Sequence, residues 1–196
     1  MQEEKTIRTL DTSANPAPLG LAAFAMTTIL LNLHNAGIFA LDVTILAMGF
    51  FFGGISQLIV GVLEWKKGNT FGAVAFTSYG AFWLCLVGIF VMPKMGLGAA
   101  ASKEGLASFL SLWGLFTLFL FIGTLKLNRA LMVVFFTLTI LFALLAIATL
   151  TGNEDLHKFA GWEGIFCGLS AFYAGMAQVL NEVYGKTVLP MGVVKK

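Results

Sequence analysis

The sequence is dominated by long apolar runs that are separated by short polar stretches. Each run continues for about 20 residues, which is the length that an α-helix needs to cross the hydrocarbon core of a bilayer. The pattern therefore predicts six transmembrane helices, and it leaves little of the chain for anything else. Their approximate limits are residues 19–39, 43–63, 70–92, 106–125, 130–150 and 159–183.

The composition excludes an ordinary soluble domain. Hydrophobic residues make up 58% of the chain and charged residues 11%, whereas soluble domains carry about a quarter charged residues. We therefore expect an all-α membrane protein that forms one six-transmembrane-helix bundle. The bundle is assigned to residues 15–185, between a polar N-terminal leader at 1–14 and a C-terminal tail at 186–196.

Lysine and arginine are distributed unevenly between the two sides of the predicted bundle. Of the 12, nine lie on the side that carries both termini. Because basic residues concentrate in cytoplasmic segments, we expect a multi-pass protein with cytoplasmic N- and C-termini. The formal net charge is only +2, so no nucleic-acid partner is indicated. The nine are Lys5, Arg8, Lys66, Lys67, Lys126, Arg129, Lys186, Lys195 and Lys196.

Several predicted spans contain polar side chains. Such groups usually face the interior of a bundle, where they line pathways for solutes or protons. The first span contains Thr28, His34 and Asn35, and Gln57 and Gln178 lie in the second and last spans. These five are candidate contacts for a substrate or a proton. Local hydrogen bonding is the alternative, above all for His34, which also fits the level of the lipid headgroups.

Small residues share one face of the second span. One row along this helix contains Gly53, Gln57, Gly61 and Glu64, which are separated by four, four and three positions. Small faces let helices approach closely. A packing seam is one interpretation of this row, and a glycine-lined pore is the other.

The first span has a clear start signal. Asn15 is a suitable N-cap, and Pro16 suits the first helical turn, where its missing N–H costs nothing. Free backbone amides at a helix N-terminus also attract anions weakly. Asn15 is therefore a candidate contact for an anionic substrate as well as a cap.

No lysine or arginine lies within the interior of any predicted span. A carboxylate that crosses the bundle must then be met by hydroxyls, amides and helix ends, or it must cross as the neutral acid. The first route favours channel-like passage, and the second favours proton coupling. The sequence also lacks the common hydrolase, zinc-protease and phosphate-binding motifs. We expect neither an enzyme nor a bound metal or cofactor.

One motif set resembles a known family. Residues 15–21 read NPAPLGL, and the resemblance extends through residues 24–35, 68–72, 77–83 and 159–162 to the Leu-Pro pair near residue 190. These segments resemble the acetate uptake transporter family, and within it the bacterial succinate-acetate permeases.

The resemblance implies a fold similar to that of the acid-gated urea channels. Each six-helix protomer would have its own central pore, and the protomers would form a homo-hexamer among the lipids of a bacterial inner membrane. The expected substrates are acetate, succinate and protons. The resemblance also implies a hydrophobic constriction formed by Phe24, Tyr79 and Leu138, with Ala171 as a residue that adjusts substrate size. The Tyr79 hydroxyl is expected to donate to a carboxylate.

Two alternatives remain open at this point. One is a channel for small neutral solutes such as urea or short amides. The other is a membrane sensor or scaffold that transports nothing, although a scaffold has no need for inward polar rows.

Overall fold

The computed structural model describes residues 13–194, so most of the predicted leader and the last two residues lie outside the described part. Six long helices make up most of the described chain. A short 3₁₀ turn, Pro93–Met95, follows the third of them. The helices are α1 (Ala17–Asn35), α2 (Val43–Lys66), α3 (Thr70–Val91), α4 (Lys103–Thr124), α5 (Arg129–Thr151) and α6 (Glu154–Tyr184).

The six helices form a ring. Each helix packs against the next one along the chain, and α6 packs against α1. Close contacts between α3 and α4 are the sparsest in the ring. Since short connections make successive helices antiparallel, α1, α3 and α5 begin at the end of the bundle where α2, α4 and α6 end. We call this end, which carries both termini of the described chain, the terminal face, and the other end the distal face.

Asparagine, aspartate or serine precedes five of the helices. The side-chain oxygen of Asn69 accepts a hydrogen bond from the N–H of Gly72 (3.1 Å), and that of Asn128 accepts one from the N–H of Leu131 (2.9 Å). Each bond satisfies a backbone donor that the first turn of a helix leaves free. The other residues that cap helices in this way are Asp42, Ser102 and Asn153.

Helix α1 is shifted towards the N-terminus relative to the predicted span. The oxygen of Asn15 accepts a hydrogen bond from the N–H of Ala17 (3.1 Å), which starts the helix two residues early. The helix ends at Asn35 because the chain turns at Gly37, which has a φ of 82°. A left-handed backbone of this kind suits glycine.

Helix α2 changes its winding along its length. Its middle part, Met48–Ser56, is a π-helix between the α-helical parts Val43–Ala47 and Gln57–Lys66.

The row on α2 that contains Gly53 and Gly61 forms a packing seam. A Cβ at Gly61 would lie 2.7 Å from the backbone nitrogen of Thr77 in α3, which shows how closely the two helices approach.

Glycine also allows the close approach of α6 to α1. A Cβ at Gly168 would lie 2.6 Å from the side chain of Ile29 and 3.0 Å from the backbone oxygen of Ala25. A Cβ at Gly161 would meet the backbone of Ala36. The two helices therefore touch along their backbones, and neither can move away from the other without opening the ring.

Large apolar side chains cover the outside of the bundle. On α4, for example, Leu112, Phe119 and Ile122 are exposed. Helices α1 to α5 are each long and apolar enough to cross a membrane. Helix α6 has 31 residues, but it contains Glu163 and four glycines, which lower its hydropathy.

Candidate functional site

A cavity of about 400 Å³ lies inside the ring at the terminal face. Helices α1, α3 and α5 provide most of its wall, and the chain that follows α6 completes it. None of the described lining residues is charged. Most are aliphatic or aromatic. The polar ones are Asn15, Gln57, Asn69, Tyr79, Asn128 and Gln178.

Three helices begin at this cavity. Asn15, Asn69 and Asn128 lie at the N-terminal ends of α1, α3 and α5, and all three line the wall. The N-terminal end of a helix carries a partial positive charge. Three helix ends therefore contribute partial positive charge to a cavity whose described lining contains no lysine or arginine.

The amide side chains are held in place by hydrogen bonds. Asn15 donates from Nδ2 to Oε1 of Gln178 (3.0 Å), which connects the start of α1 to the end of α6. Gln57 donates from Nε2 to the backbone oxygen of Gly53 (2.7 Å). The buried Oε1 of Gln57 has no partner among the described residues, so this lining residue retains an unused acceptor.

The predicted constriction residues lie at the inner end of the cavity. On α1, α3 and α5, the lining residues farthest from the terminal face are Phe24, Tyr79 and Leu138. Each lies two helical turns inside the first lining residue of its helix, which corresponds to about 10–12 Å of depth. The Phe24 and Tyr79 ring centroids are 5.8 Å apart. The three side chains are almost completely buried, so they close the inner end.

The hydroxyl of Tyr79 is used inside the protein. It lies 2.9 Å from Oγ1 of Thr117, and that hydroxyl donates its own proton to the backbone oxygen of Trp113 (2.7 Å). A threonine hydroxyl has one proton, so Tyr79 is the donor in the first bond. In this arrangement its proton is directed at Thr117, and donation from Tyr79 to a carboxylate stays a prediction.

Four predicted site residues lie outside the cavity wall. Ala171 is fully buried in the core. Thr28 and Asn35 are buried along α1 on the distal side of Phe24. His34 donates from Nδ1 to the backbone oxygen of Phe39 (3.0 Å), which favours the local-bonding alternative for this side chain.

A row of polar side chains connects the distal face to the middle of the bundle. His157 Nε2 lies 3.3 Å from Oδ1 of Asn35, Asn35 donates to Asn32 (3.0 Å), and Asn32 donates to the backbone oxygen of Thr28 (2.9 Å). His157 precedes the predicted last span, 159–183, but the structure places it in the first turn of α6. Burial, and then the nearby His34, lowers the pKa of His157, so the neutral ring is favoured.

Two enclosed carboxyl groups were not predicted from the sequence. Glu64 lies near the end of α2, where it is 2% exposed and its Oε2 accepts from Asn69 (2.7 Å). Both oxygens of Glu163 are buried without a hydrogen-bond partner among the described residues. A glutamate within an otherwise apolar run is a signal that could have identified Glu163.

Comparison with known proteins shows close relatives. The chain matches the GPR1/FUN34/yaaH family over residues 3–193. It is 63% identical over 179 residues to the succinate-acetate/proton symporter SatP of Escherichia coli K12, a match that covers 91% of this chain and 95% of that protein. Acetate permease A of Emericella nidulans is 32% identical, over 91% of this chain and 65% of the permease.

A solved structure agrees with these matches. The structure described as that of the bacterial acetate channel SatP superimposes with a TM-score of 0.91 at 62% identity, and the match covers 92% of this chain and all of that one. The all-α membrane fold and the family resemblance predicted from the sequence are therefore confirmed. The chain belongs to the GPR1/FUN34/yaaH family.

Proposed function

We infer that this chain transports acetate and succinate across a membrane. The observation that carries the inference is the uncharged cavity, where six polar side chains and three helix N-termini surround a space that ends at Phe24, Tyr79 and Leu138. The relatives named as a succinate-acetate symporter, an acetate permease and an acetate channel support it.

The chemistry of the wall suits a solute that must bind and then leave. A helix N-terminus stabilises an anion by about 0.3–1 kcal/mol, which attracts a carboxylate without retaining it. The amide nitrogen of Asn128 is a donor at the same place, because the oxygen of this residue caps α5. Aliphatic and aromatic walls accept the methyl or methylene part of the substrate. Conduction requires such weak binding.

The aromatic inner end favours a proton-coupled route. A bare carboxylate loses its hydration between Phe24, Tyr79 and Leu138 and meets no cation there, whereas the neutral acid crosses apolar surroundings at much lower cost. We therefore propose that acetate passes this constriction together with a proton. Uptake is then expected to rise as the external pH falls.

Labelled acetate uptake into proteoliposomes tests the function. With the external pH stepped from about 7 to about 5, wild-type uptake should exceed that of protein-free liposomes and be accompanied by proton entry. Tyr79→Phe should retain uptake, because the hydroxyl bonds to Thr117, whereas Tyr79→Ala should disturb it. Competition by succinate but not by urea excludes a neutral-solute channel. No uptake above protein-free liposomes would contradict transport and favour the sensor or scaffold.

The assigned constriction has its own test. Leu138→Ala should raise the uptake of succinate relative to acetate, because it removes bulk at the inner end of the cavity. Leu145→Ala is the matched control, since Leu145 is a buried leucine of the same helix that does not line the cavity. Equal substrate ratios in the two variants would contradict the assignment. The role of Ala171 in substrate size stays a prediction.

We also propose that the protein lies in a bacterial inner membrane as a homo-hexamer with cytoplasmic termini. The exposed apolar faces of the helices suit lipid and neighbouring protomers, and the uneven distribution of lysine and arginine supports the orientation. Chemical cross-linking in native membranes tests the assembly: a ladder that ends at six copies supports it, and one that ends earlier contradicts it.

A further inference from the structure

The chain that follows α6 folds back across the terminal face. We call residues 186–194 the tail segment. Asn181, near the end of α6, holds its first part. The oxygen of Asn181 accepts hydrogen bonds from the N–H groups of Val188 (2.6 Å) and Leu189 (2.9 Å), and its nitrogen donates to the backbone oxygen of Leu189 (2.8 Å). One side chain therefore fixes two consecutive residues of the tail segment.

The second part of the tail segment is bonded to the start of α5. The N–H groups of Arg129 and Ala130 donate to the backbone oxygens of Gly192 (2.9 Å) and Met191 (3.1 Å). The first N–H groups of a helix have no partner within the helix, so the tail segment acts as the cap of α5. These bonds are made by the backbone, and they do not depend on the tail side chains.

This anchoring places two tail side chains at the cavity. Met191 and Val193 line its wall, and Asn128, which also lines it, pairs with Val193. Met191 is half-buried against the core, whereas Val193 is exposed. Of the two, Met191 is therefore the one that packs into the wall.

We propose that the tail segment is the rim of the transport pathway and that Met191 selects substrates there by size. The proposal rests on the function proposed above. Met191 shares the wall of the cavity with the asparagine side chains that begin the helices, so a solute that uses this cavity passes near it. Methionine is long and flexible, so a small monocarboxylate passes beside it more readily than a longer dicarboxylate.

Uptake of labelled succinate and acetate, measured side by side in proteoliposomes, tests the proposal. Met191→Ala should raise the succinate-to-acetate ratio by about threefold or more, and Met191→Phe should lower it by a similar factor. Met191→Leu, which retains most of the bulk, should resemble the wild type. Val188→Ala is the control, because Val188 belongs to the tail segment but does not line the cavity.

The outcomes separate the two ideas. Wild-type protein without acetate uptake would remove the proposed function and this inference with it. An active wild type in which the Met191 variants give the same substrate ratio as Val188→Ala would overturn the inference alone. A change in total uptake at an unchanged ratio would show that Met191 has a structural role only, and it would also overturn the proposal.

Discussion

At the scale of single residues, the two enclosed glutamates have different surroundings. Oε2 of Glu64 accepts from Asn69, which in turn caps α3 and lines the cavity, whereas Oε1 of Glu64 is buried without a partner among the described residues. Glu163 has no such partner among the described residues. A buried polar group is costly when it is unpaired and stabilising when it is bonded, so the half-bonded carboxyl group of Glu64 should cost the fold less than the unbonded one of Glu163.

Replacing each glutamate by leucine tests this difference. Glu163→Leu should raise the free energy of unfolding by about 1–3 kcal/mol, because it removes two unpaired buried oxygens. Glu64→Leu should raise it less or lower it, because it removes one unpaired oxygen but leaves Asn69 without its acceptor. Thermal unfolding in detergent measures both. If Glu163→Leu lost stability, an undetected partner of Glu163 would be indicated and the assignment would be wrong.

His157 should make stability depend on pH. Its folded pKa is lowered by burial and then by His34. Above about pH 6.5, the ordinary value for histidine, the ring is neutral in both the folded and unfolded chains. Below that value the unfolded chain binds the proton first, so the fold loses stability as the pH falls.

The variant His157→Gln isolates this effect. Glutamine can still donate to Asn35, but it does not titrate. Between about pH 7.5 and pH 5.5, its melting temperature should fall less than that of the wild type. His157→Ala, which also loses the bond to Asn35, controls for that contact. Parallel pH dependences for the wild type and His157→Gln would contradict the assignment.

The contacts of these residues could not be predicted from the sequence. His157 contacts Asn35, which lies 122 positions away in the sequence, and Tyr79 contacts Thr117, which lies 38 positions away. A periodic pattern shows which face of a helix is polar, but it does not show which neighbouring helix that face meets. Phe24, Tyr79 and Leu138 came from the family resemblance, whereas Asn15, Gln57 and Gln178 were visible as polar groups within or beside apolar runs.

At the scale of helices, glycine has different roles at different positions. Gly161 lies where α6 meets the backbone of α1, whereas a Cβ at Gly88 in α3 would have only an ordinary contact, 3.6 Å from the sulfur of Met92. In the sequence both are single glycines within apolar helices. Only the packing of the helices distinguishes them.

Alanine at these two positions should therefore act in opposite directions. Gly161→Ala should cost about 1–3 kcal/mol through overpacking against a backbone that cannot move. Gly88→Ala should be neutral or stabilise by up to about 1 kcal/mol, because alanine favours the helix. Melting temperatures in detergent compare the two. Equal effects would show that α1 and α6 separate easily, contrary to the packing described here.

At the scale of the whole molecule, both described termini lie at the same face. This agrees with the even number of spans predicted from the apolar runs. Helix α6 is one of the six, although its Glu163 and four glycines leave it outside the helices that are apolar enough by composition to cross a membrane. The number and order of helices could be predicted from the sequence. The ring and the tail segment could not, because they depend on contacts between distant parts of the chain.

The proposed orientation can be measured with single cysteines in a background that lacks Cys85 and Cys167. With a membrane-impermeant maleimide on intact cells, Lys94→Cys at the distal face should react, and Lys186→Cys at the terminal face should react only after permeabilisation. The reverse pattern would place the termini outside. Reaction of both cysteines in intact cells would indicate leaky cells and requires a cytoplasmic control protein.

The sparse contact between α3 and α4 has a mechanical consequence. Five of the six junctions in the ring are close helix–helix contacts, whereas this one is bridged mainly by side chains: Tyr79 and Phe82 meet Trp113 across it, and Tyr79 bonds to Thr117. In mechanical terms this junction is the weakest point of the ring, and aromatic side chains hold it closed. Since Tyr79 belongs both to this joint and to the inner end of the cavity, separating α3 from α4 would remove the Trp113 and Thr117 contacts of a constriction residue and would break few backbone contacts.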